Sequence, residues 1–559
     1  MSSAKTRCLI LSDFNIQPLA DFLNRDDNEP ACEAVVGPFG QVAPPLLQIS
    51  EGKTSPDCDC LIVWARPEAV IGAYDTLLKR GAVSAESLSA EVEAFATALI
   101  SAARRVKHLF FMSWTQPHFR RDFGVWNMPA DGATLSLMRM NVALSDRLAP
   151  QTNIFVLNAG SWISAAGAKA WNRKLWFLAK VPFSPEVFEA AAGTLKSALH
   201  SLQGRSRKLL ILDLDETLWG GIVGEVGWEG IRLGGHDAIG EAYGDFQQAV
   251  KALSHTGVVL AIASKNDESV ALEAIDKHPE MILRRVDFAA WRINWSDKAQ
   301  NIVEIANELN LDLSSVVYVD DSAAERSRIR SALPAVSVPE WPQDVFLYTE
   351  SLAKLSCFDK ASITSEDLQR GRMYVIDRER SETRNAFQSM ADWLESLQMK
   401  VCVETLSRSN AARAAQLFNK TNQMNLSTRR MSEAELLDWS TRPGNDLLVF
   451  RVSDKFGDYG LTGMIGLQVN RTHALITDYL LSCRVMGRGV EELMLAAAID
   501  SARSREMAEI HAQYLQTSKN APCLAFFKNS SRFRCDGSHL FTWRTSDDYP
   551  FPHHILVKR

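Results

Sequence analysis

Residues 208–221 read Lys208-Leu-Leu-Ile-Leu-Asp213-Leu-Asp215-Glu-Thr217-Leu-Trp219-Gly220-Gly221, and this stretch decides the fold. Apolar residues that run straight into Asp-x-Asp-x-Thr are typical of a buried parallel strand. Such a strand delivers Asp213 and Asp215 to its carboxyl end, which is the edge where open α/β sheets bind ligands. Two acidic side chains close together favour the binding of a cation.

A pair of carboxylates with this spacing suits phosphoryl transfer. One carboxylate, Asp213, would attack phosphorus, and the other, Asp215, would protonate the leaving oxygen and later deprotonate a water. Thr217 is a candidate for binding a phosphate oxygen. The same pattern also occurs in turns that cap helices, so its meaning depends on the residues further along the chain.

Two further candidate phosphate ligands occur at strand–helix intervals. Residues 258–263 predict a second buried strand, which ends in Ser264, and a serine hydroxyl at that place can hydrogen-bond a phosphate oxygen. Lys298 opens a helical pattern and can neutralise both the phosphate and the nucleophile. The sequence therefore predicts a phosphate site at one edge of the sheet.

A third predicted strand, residues 315–319, ends in Asp320 and Asp321. Together with Asp213 and Asp215, these side chains offer the oxygen ligands that Mg²⁺ prefers in proteins. The order Asp-x-Asp, Ser, Lys and Asp-Asp resembles the four motifs of the haloacid dehalogenase (HAD) phosphotransferase superfamily. That resemblance implies Mg²⁺ as the cofactor.

The sequences of residues 213–227 and 319–326 are similar to those of the FkbH-like family within that superfamily. Members of the family are associated with glyceryl transfer to acyl carrier proteins in polyketide pathways, and relatives occur in surface-polysaccharide clusters. The family more often has Asn where Glu216 stands. The resemblance extends over essentially the whole chain and is strongest from residue 208 onward.

Length and composition limit the other classes of function. The 559 residues are too many for one core and predict three or four domains. A net charge of −6 without a basic stripe argues against nucleic-acid binding. No apolar run is long enough for a membrane span or a signal peptide, so we expect a cytoplasmic protein. The nine cysteines show neither a disulfide framework nor a zinc spacing.

Residues 1–200 alternate strands and helices, which predicts a parallel, doubly wound sheet. This domain resembles the SGNH-hydrolase-like domain that precedes the HAD domain in longer FkbH-like proteins. The expected Gly-Asp-Ser is replaced by Ser12-Asp13-Phe14, and no Asp-x-x-His occurs in this range. We therefore expect a non-catalytic domain, with Ser12 and Asn15 as helix-capping residues in the simpler interpretation.

The HAD domain is predicted over residues 207–345, after a polar helical linker at 185–207. Seven glycines from residue 220 to residue 235 predict an irregular flap in place of a full cap domain. A site without a cap can admit a large substrate, such as a metabolite tethered to a protein.

Residues 346–559 are predicted to form an α+β domain of antiparallel strands and a helix that comes after a glycine turn. Arg484, Gly487 and Gly489 resemble the Arg/Gln-x-x-Gly-x-Gly turn with which GNAT acyltransferases aim backbone N–H groups at acyl-CoA. Glycines let a ligand approach the backbone, and the helix N-terminus favours negative charge. The alternative is that both glycines only form the tight turn of a helix start.

Cys483 precedes this turn and is flanked by Arg484 and Arg488. A thiolate stabilised there can attack an acyl phosphate to give a thioester. The alternative is a small buried residue that fills a strand end.

The resemblance thus implies an enzyme that dephosphorylates 1,3-bisphosphoglycerate, or a similar small phosphorylated metabolite, and transfers the glyceryl group to an acyl carrier protein. One alternative is a simple Mg²⁺-dependent phosphatase of a sugar or polyol phosphate with a C-terminal binding domain. Another is a non-enzymatic scaffold for carrier proteins, against which the intact acidic motifs argue.

Overall fold

The computed structural model of the chain describes residues 5–25, 30–54, 56–116, 132–361, 389–470, 473–517, 519–537 and 539–558, together with residues 368, 371, 373–376, 378 and 387. Two compact units are present. The N-terminal unit contains residues 1–208 and 349–364, and the C-terminal unit contains residues 209–348 and 365–559. Among the helices described, none is long and apolar enough to cross a membrane.

The described part of the N-terminal unit contains a five-stranded parallel sheet in the order β2-β1-β3-β4-β5. Four of these strands match runs that predict strands in the sequence, at residues 8–12, 60–64, 107–112 and 153–157, and β2 is an additional edge strand. The strands are β1 (Thr6–Ser12), β2 (Cys32–Val36), β3 (Cys60–Trp64), β4 (His108–Met112) and β5 (Ile154–Leu157).

Helices cover both faces of this sheet, as the doubly wound prediction requires. One face packs Phe14, Trp64 and Phe188 into a buried cluster, and the other packs Phe95 and Phe111 into a second cluster. The helices are α1 (Gln17–Asn24), α2 (Ala43–Ser50), α3 (Pro67–Val70), α4 (Gly72–Leu78), α5 (Ala85–Ala103), α6 (Ala133–Leu148), α7 (Ala159–Ala166), α8 (Arg173–Ala179) and α9 (Pro185–Leu202).

Helix α9 corrects the prediction of a polar linker. Val187, Phe188, Leu195 and Leu199 form a buried stripe at helical spacing and belong to the core of the N-terminal unit. The segment is therefore a structural helix of that unit. The lysine, serine and glutamate residues that made it look polar lie among these apolar positions in the sequence.

The first part of the C-terminal unit is a four-stranded parallel sheet in the order β8-β7-β6-β9, counted over the described residues. Its strands are β6 (Leu209–Leu212), β7 (Val259–Ser264), β8 (Phe288–Ile293) and β9 (Val316–Val319). Its helices are α10 (Val223–Gly230), α11 (Ala238–His255), α12 (Glu268–Lys277), α13 (Lys298–Glu308) and α14 (Ala323–Ala332), and α15 (Tyr348–Ala353) comes next along the chain.

The predicted flap after β6 is only partly irregular. Helix α10 forms within it and is broken at Gly227, whose φ of 70° lies outside the helical region. Gly220 and Arg232 pair their backbones across the base of the segment. The segment is thus a short ordered excursion and not a separate cap.

The second part of the C-terminal unit is a mixed sheet in the order β16-β17-β15-β14-β13-β12-β10-β18, with β11 paired to β14. The strands are β10 (Met399–Thr405), β11 (Met424–Asn425), β12 (Asn445–Asp454), β13 (Gly457–Val469), β14 (His473–Leu481), β15 (Glu509–Gln513), β16 (Arg534–Cys535), β17 (Leu540–Arg544) and β18 (Ile555–Lys558). The helices are α16 (Met390–Ser396), α17 (Arg408–Lys420), α18 (Glu433–Thr441), α19 (Val490–Ser504) and α20 (Ala521–Asn529).

Strands β14 and β15 run parallel only as far as Ile476 and Ala512. Beyond that point the edge of β14 is taken by the segment that contains β11, because the Leu426 N–H donates to the Tyr479 carbonyl at 3.1 Å. The Leu515 N–H in turn donates to the Leu426 carbonyl at 3.0 Å. The chain itself therefore fills the gap where the two strands separate.

Candidate active site

The carboxyl ends of three neighbouring strands bring the predicted phosphate-site residues together. Asp213 comes directly after β6, Ser264 ends β7 and Asp320 comes directly after β9. Their exposed fractions are 8%, 1% and 0%. Parallel strands in register place their ends at one edge, so residues distant in sequence meet there.

Lys298, the first residue of α13, lies between two of these carboxylates. Its Nζ is 2.8 Å from Asp213 Oδ2 and 2.6 Å from Asp320 Oδ2, and the residue is 4% exposed. Burial alone would lower the pKa of Lys298, but the attraction of Asp213 and Asp320 outweighs it and holds the pKa above its usual value. Lys298 is therefore a fixed positive charge in the site.

Asp213, Asp320 and Asp321 can each offer one carboxylate oxygen to a common point, with those oxygens within 4.8 Å of one another. Asp213 Oδ1 is buried and has no hydrogen-bond partner among the described residues. Burial, opposed by Lys298 and reinforced by Asp320, raises the pKa of Asp213. An all-oxygen set that holds more negative charge than Lys298 can balance fits Mg²⁺.

The carboxylate of Asp215 is not part of this group, although the sequence suggested it as a metal ligand. Its Oδ1 accepts hydrogen bonds from Trp219 Nε1 at 2.8 Å and from the Val223 N–H at 3.0 Å. Its Oδ2 accepts from Asn266 Nδ2 at 2.8 Å. This arrangement suits an acid and base more than a side-chain ligand.

Thr217 is buried but bonds to a carboxylate neighbour in the site. Its hydroxyl donates to Asp321 Oδ1 at 3.3 Å and accepts from the Asp321 N–H at 3.2 Å. Burial and the charges of Asp320 and Asp213 raise the pKa of Asp321 to about 6. In this arrangement Thr217 positions a candidate metal ligand and does not face an open phosphate site.

Two residues that the sequence reasoning did not single out complete the site. Asn266 holds Asp215 and also donates to the Ser264 hydroxyl at 3.3 Å. The buried Tyr318 hydroxyl donates to Asp320 Oδ2. Strand alternation could have indicated Tyr318, since residues two apart point to the same side of a strand.

The second predicted site lies where β14 leads into α19. Cys483 begins a short turn of 3₁₀-helix, Cys483–Val485, and its side chain lies outside the described part of the structure. Arg484 donates from Nε to Ser482 Oγ at 3.1 Å and from Nη1 to the sulfur of Met373 at 2.7 Å. Arg488 donates to the Tyr459 hydroxyl.

Gly487 and Gly489 both have left-handed backbones, with φ of 72° and 84°. A Cβ on Gly489 would lie 3.0 Å from His554 Cε1 and 3.2 Å from Pro552 Cβ, whereas a Cβ on Gly487 would meet nothing within 4 Å. His554 Nε2 is 2.8 Å from the Arg488 carbonyl oxygen. The close packing of the segment around Pro552 and His554 therefore explains why residue 489 is a glycine.

Among solved structures, the N-terminal part of the protein BF1531 from Bacteroides fragilis, which contains a phosphatase domain and is complexed with Mg, is similar to this chain. It is 26% identical, covers 65% of this chain and 96% of its own, and gives a TM-score of 0.58. No protein-family model matches the chain, and no curated protein matches it.

Two acetyltransferase structures each cover 26% of this chain. The ribosomal-protein-S18-alanine N-acetyltransferase from Escherichia coli is 12% identical over 96% of its own length, with a TM-score of 0.20. A variant of the spermidine N-acetyltransferase SpeG from Vibrio cholerae is 14% identical over 94%, with a TM-score of 0.21. These TM-scores are low, so the description of the mixed sheet in the C-terminal unit rests on its own strand order. The chain is a mixed α/β protein of several domains with parallel sheets.

Proposed function

We propose that this chain is a Mg²⁺-dependent phosphotransfer enzyme of the HAD type, with residues 207–345 as its phosphatase domain. The observation that carries the proposal is the group of Asp213, Asp320 and Asp321 at the carboxyl edge of a parallel sheet, in which Asp213 and Asp320 are buried and bonded to Lys298. The similarity to a phosphatase domain complexed with Mg supports it.

In the proposed reaction a carboxylate oxygen of Asp213 attacks phosphorus, and the bond between phosphorus and the leaving oxygen breaks. Asp215 gives its proton to that oxygen. Asp215 then takes a proton from a water that attacks the aspartyl phosphate, which releases inorganic phosphate and restores Asp213. Lys298 and the Ser264 hydroxyl hold the phosphate oxygens.

Mg²⁺, held by Asp213, Asp320 and Asp321, would offset the negative charge of the phosphate and these carboxylates. Lys298 alone is a single positive charge among them, and its position is fixed by both Asp213 and Asp320. The Tyr318 hydroxyl and the Ser322 N–H, 2.8 Å from Asp320 Oδ1, keep Asp320 oriented.

We further propose the activity that the FkbH-like resemblance implies. The substrate would be 1,3-bisphosphoglycerate or a similar acyl phosphate, and the acceptor the phosphopantetheine thiol of an acyl carrier protein in polyketide or polysaccharide biosynthesis. Residues 346–559 would carry the acyl-transfer site, and residues 1–200 a non-catalytic SGNH-like domain. The scattered cysteines, eight of them free among the described residues, support a cytoplasmic location.

The proposed acyl transfer uses Cys483. Its thiolate attacks the acyl carbon, a thioester bond forms, and phosphate leaves with the electron pair of the broken carbon–oxygen bond. The HAD site hydrolyses the remaining phosphate ester. The carrier thiolate then attacks the thioester and frees Cys483.

The phosphatase step is tested by phosphate release in the presence of Mg²⁺. We expect Asp213→Asn to lose at least about 10³-fold because the nucleophile is gone. Asp245→Asn, at an exposed position of α11, is the control and should keep full activity. Full activity of Asp213→Asn would refute the HAD assignment.

The transfer step is tested by the intact mass of a candidate carrier protein incubated with enzyme, Mg²⁺ and 1,3-bisphosphoglycerate. Cys483→Ala should abolish carrier acylation and keep phosphate release from a stable phosphomonoester. Phosphate release without any carrier acylation by the wild type would leave the simple phosphatase as the function.

A further inference from the structure

A cavity of about 610 Å³ lies against the start of α19 in the C-terminal unit. The glycine turn forms one side of it through Gly487 and Gly489, and Phe526 of α20 and residues 550–552 contribute apolar surface. A glycine turn at a helix N-terminus usually offers free N–H groups to an anion.

One of these N–H groups, that of Gly487, is already hydrogen-bonded to a side chain of α19. Glu491, in the first turn of α19, is 5% exposed, and its Oε1 accepts a hydrogen bond from the Gly487 N–H at 2.6 Å. Its other oxygen, Oε2, is buried and has no hydrogen-bond partner among the described residues. Glu491 lines the cavity, so this oxygen is an acceptor that lacks a donor.

The charges around the cavity disfavour an anion at the turn. Glu492 lines it beside Glu491, and Arg488 is bonded to the Tyr459 hydroxyl. The pKa of Glu491 is raised to about 7, chiefly by burial, with a contribution from Glu492, while the Gly487 N–H and Arg488 oppose the shift. Arg532 lines the cavity and is exposed to solvent.

We propose that Glu491 makes this cavity selective for an uncharged arm with amide or hydroxyl donors, such as pantetheine, and excludes the diphosphate of coenzyme A from the glycine turn. The ligand's N–H or O–H would donate to Glu491 Oε2. This inference rests on the proposed function, which needs a pantetheine thiol, and it names the residue that selects a carrier-borne pantetheine over free coenzyme A.

The test is a calorimetric titration of the full chain with pantetheine and with coenzyme A, without phosphorylated substrate or carrier. In the wild type, pantetheine should bind at least as tightly as coenzyme A. The titration is run at about pH 8, where the Glu491 carboxyl is ionised. In Glu491→Ala the Gly487 N–H is freed and that negative charge is lost, so the preference should move by about tenfold toward coenzyme A. Asp438→Ala, at an exposed position of α18, should leave the ratio unchanged.

If Glu491→Ala does not fold, Glu491→Gln replaces it, because the amide oxygen can still accept from Gly487 while the charge is removed. It should also move the preference toward coenzyme A. Wild-type binding of coenzyme A about tenfold tighter than pantetheine, an unchanged ratio in a folded Glu491 variant, or no binding of either ligand would overturn the inference. Since no acyl transfer is measured, a failure of carrier acylation alone would count only against the proposed function.

Discussion

Lys298 supplies the positive charge that offsets the carboxylates of Asp213 and Asp320 in the candidate active site. Replacing it with alanine leaves Asp213 and Asp320 buried without their cation, which we expect to lower the free energy of unfolding by about 3 kcal/mol. Denaturant unfolding should be measured in EDTA so that no divalent ion substitutes for the ammonium group. Lys277→Ala removes an exposed lysine paired with Glu273, and because water screens this pair the variant should lose much less stability. Equal effects of the two changes would contradict the prediction.

The buried carboxyl group of Glu491 should make the stability of the folded protein depend on pH. Its pKa rises from 4.5 to about 7 on folding, chiefly through burial. Between these values the folded chain holds a proton that the unfolded chain has released, so stability falls as the pH rises. Glu491→Gln removes this loss, and its advantage over the wild type should grow by on the order of 2 kcal/mol between about pH 5.5 and 8. An advantage that stays constant across these pH values would show the prediction to be wrong.

The sequence predicts that Asp213, Ser264 and Asp320 lie close together, because each is at or directly after the end of a predicted strand of one parallel sheet. The burial of Glu491 could not be predicted from it. An acidic residue in the first turn of a helix usually complements the helix dipole at the surface. Here residues far along the chain, such as Pro552 and His554, close over the turn.

Among the elements, the glycine turn before α19 offers a matched pair of substitutions. Gly487→Ala places a Cβ in open space at a left-handed φ and should cost about 1 kcal/mol. Gly489→Ala has the same conformational cost and also forces the new Cβ against His554 and Pro552, so it should cost at least about twice as much. Thermal unfolding of both variants measures the difference. Equal costs would mean that the segment around His554 does not pack on the turn in solution.

In the two parallel sheets the central strands were predictable because their apolar runs are continuous, whereas the edge strands β2 and β8 were missed. In β2, Cys32 and Ala34 are buried while Glu33 is exposed, so small residues alternate with a charge. In β8, Trp291 and Arg292 are half-buried at the edge of the sheet. Edge strands lack the two-sided burial that produces a recognisable apolar run.

At the scale of the whole molecule, the N-terminal unit uses the side chains of Ser12 and Asp13 to hold the loop after β1. The Ser12 hydroxyl accepts the Phe14 N–H at 3.2 Å, and Asp13 Oδ2 binds Arg66 Nε at 2.7 Å. Both side chains stabilise the loop after β1. The sequence predicted this unit's sheet from alternation, but it could not predict that α9 belongs to its core, since the buried positions of α9 alternate with charged ones.

The two candidate sites use different chemistry, which predicts that they can be inactivated separately. The phosphatase site depends on acidic oxygen ligands, whereas the cavity beside α19 has an acceptor oxygen and apolar walls. EDTA should therefore abolish phosphate release from a phosphomonoester and leave the affinity for pantetheine unchanged, and added Mg²⁺ should restore release. Conversely, Glu491→Ala should change the preference between pantetheine and coenzyme A without changing phosphate release. Loss of pantetheine binding in EDTA would mean that the metal site and the cavity depend on each other. Both measurements use the intact chain, so they test whether the two sites act independently in the folded protein.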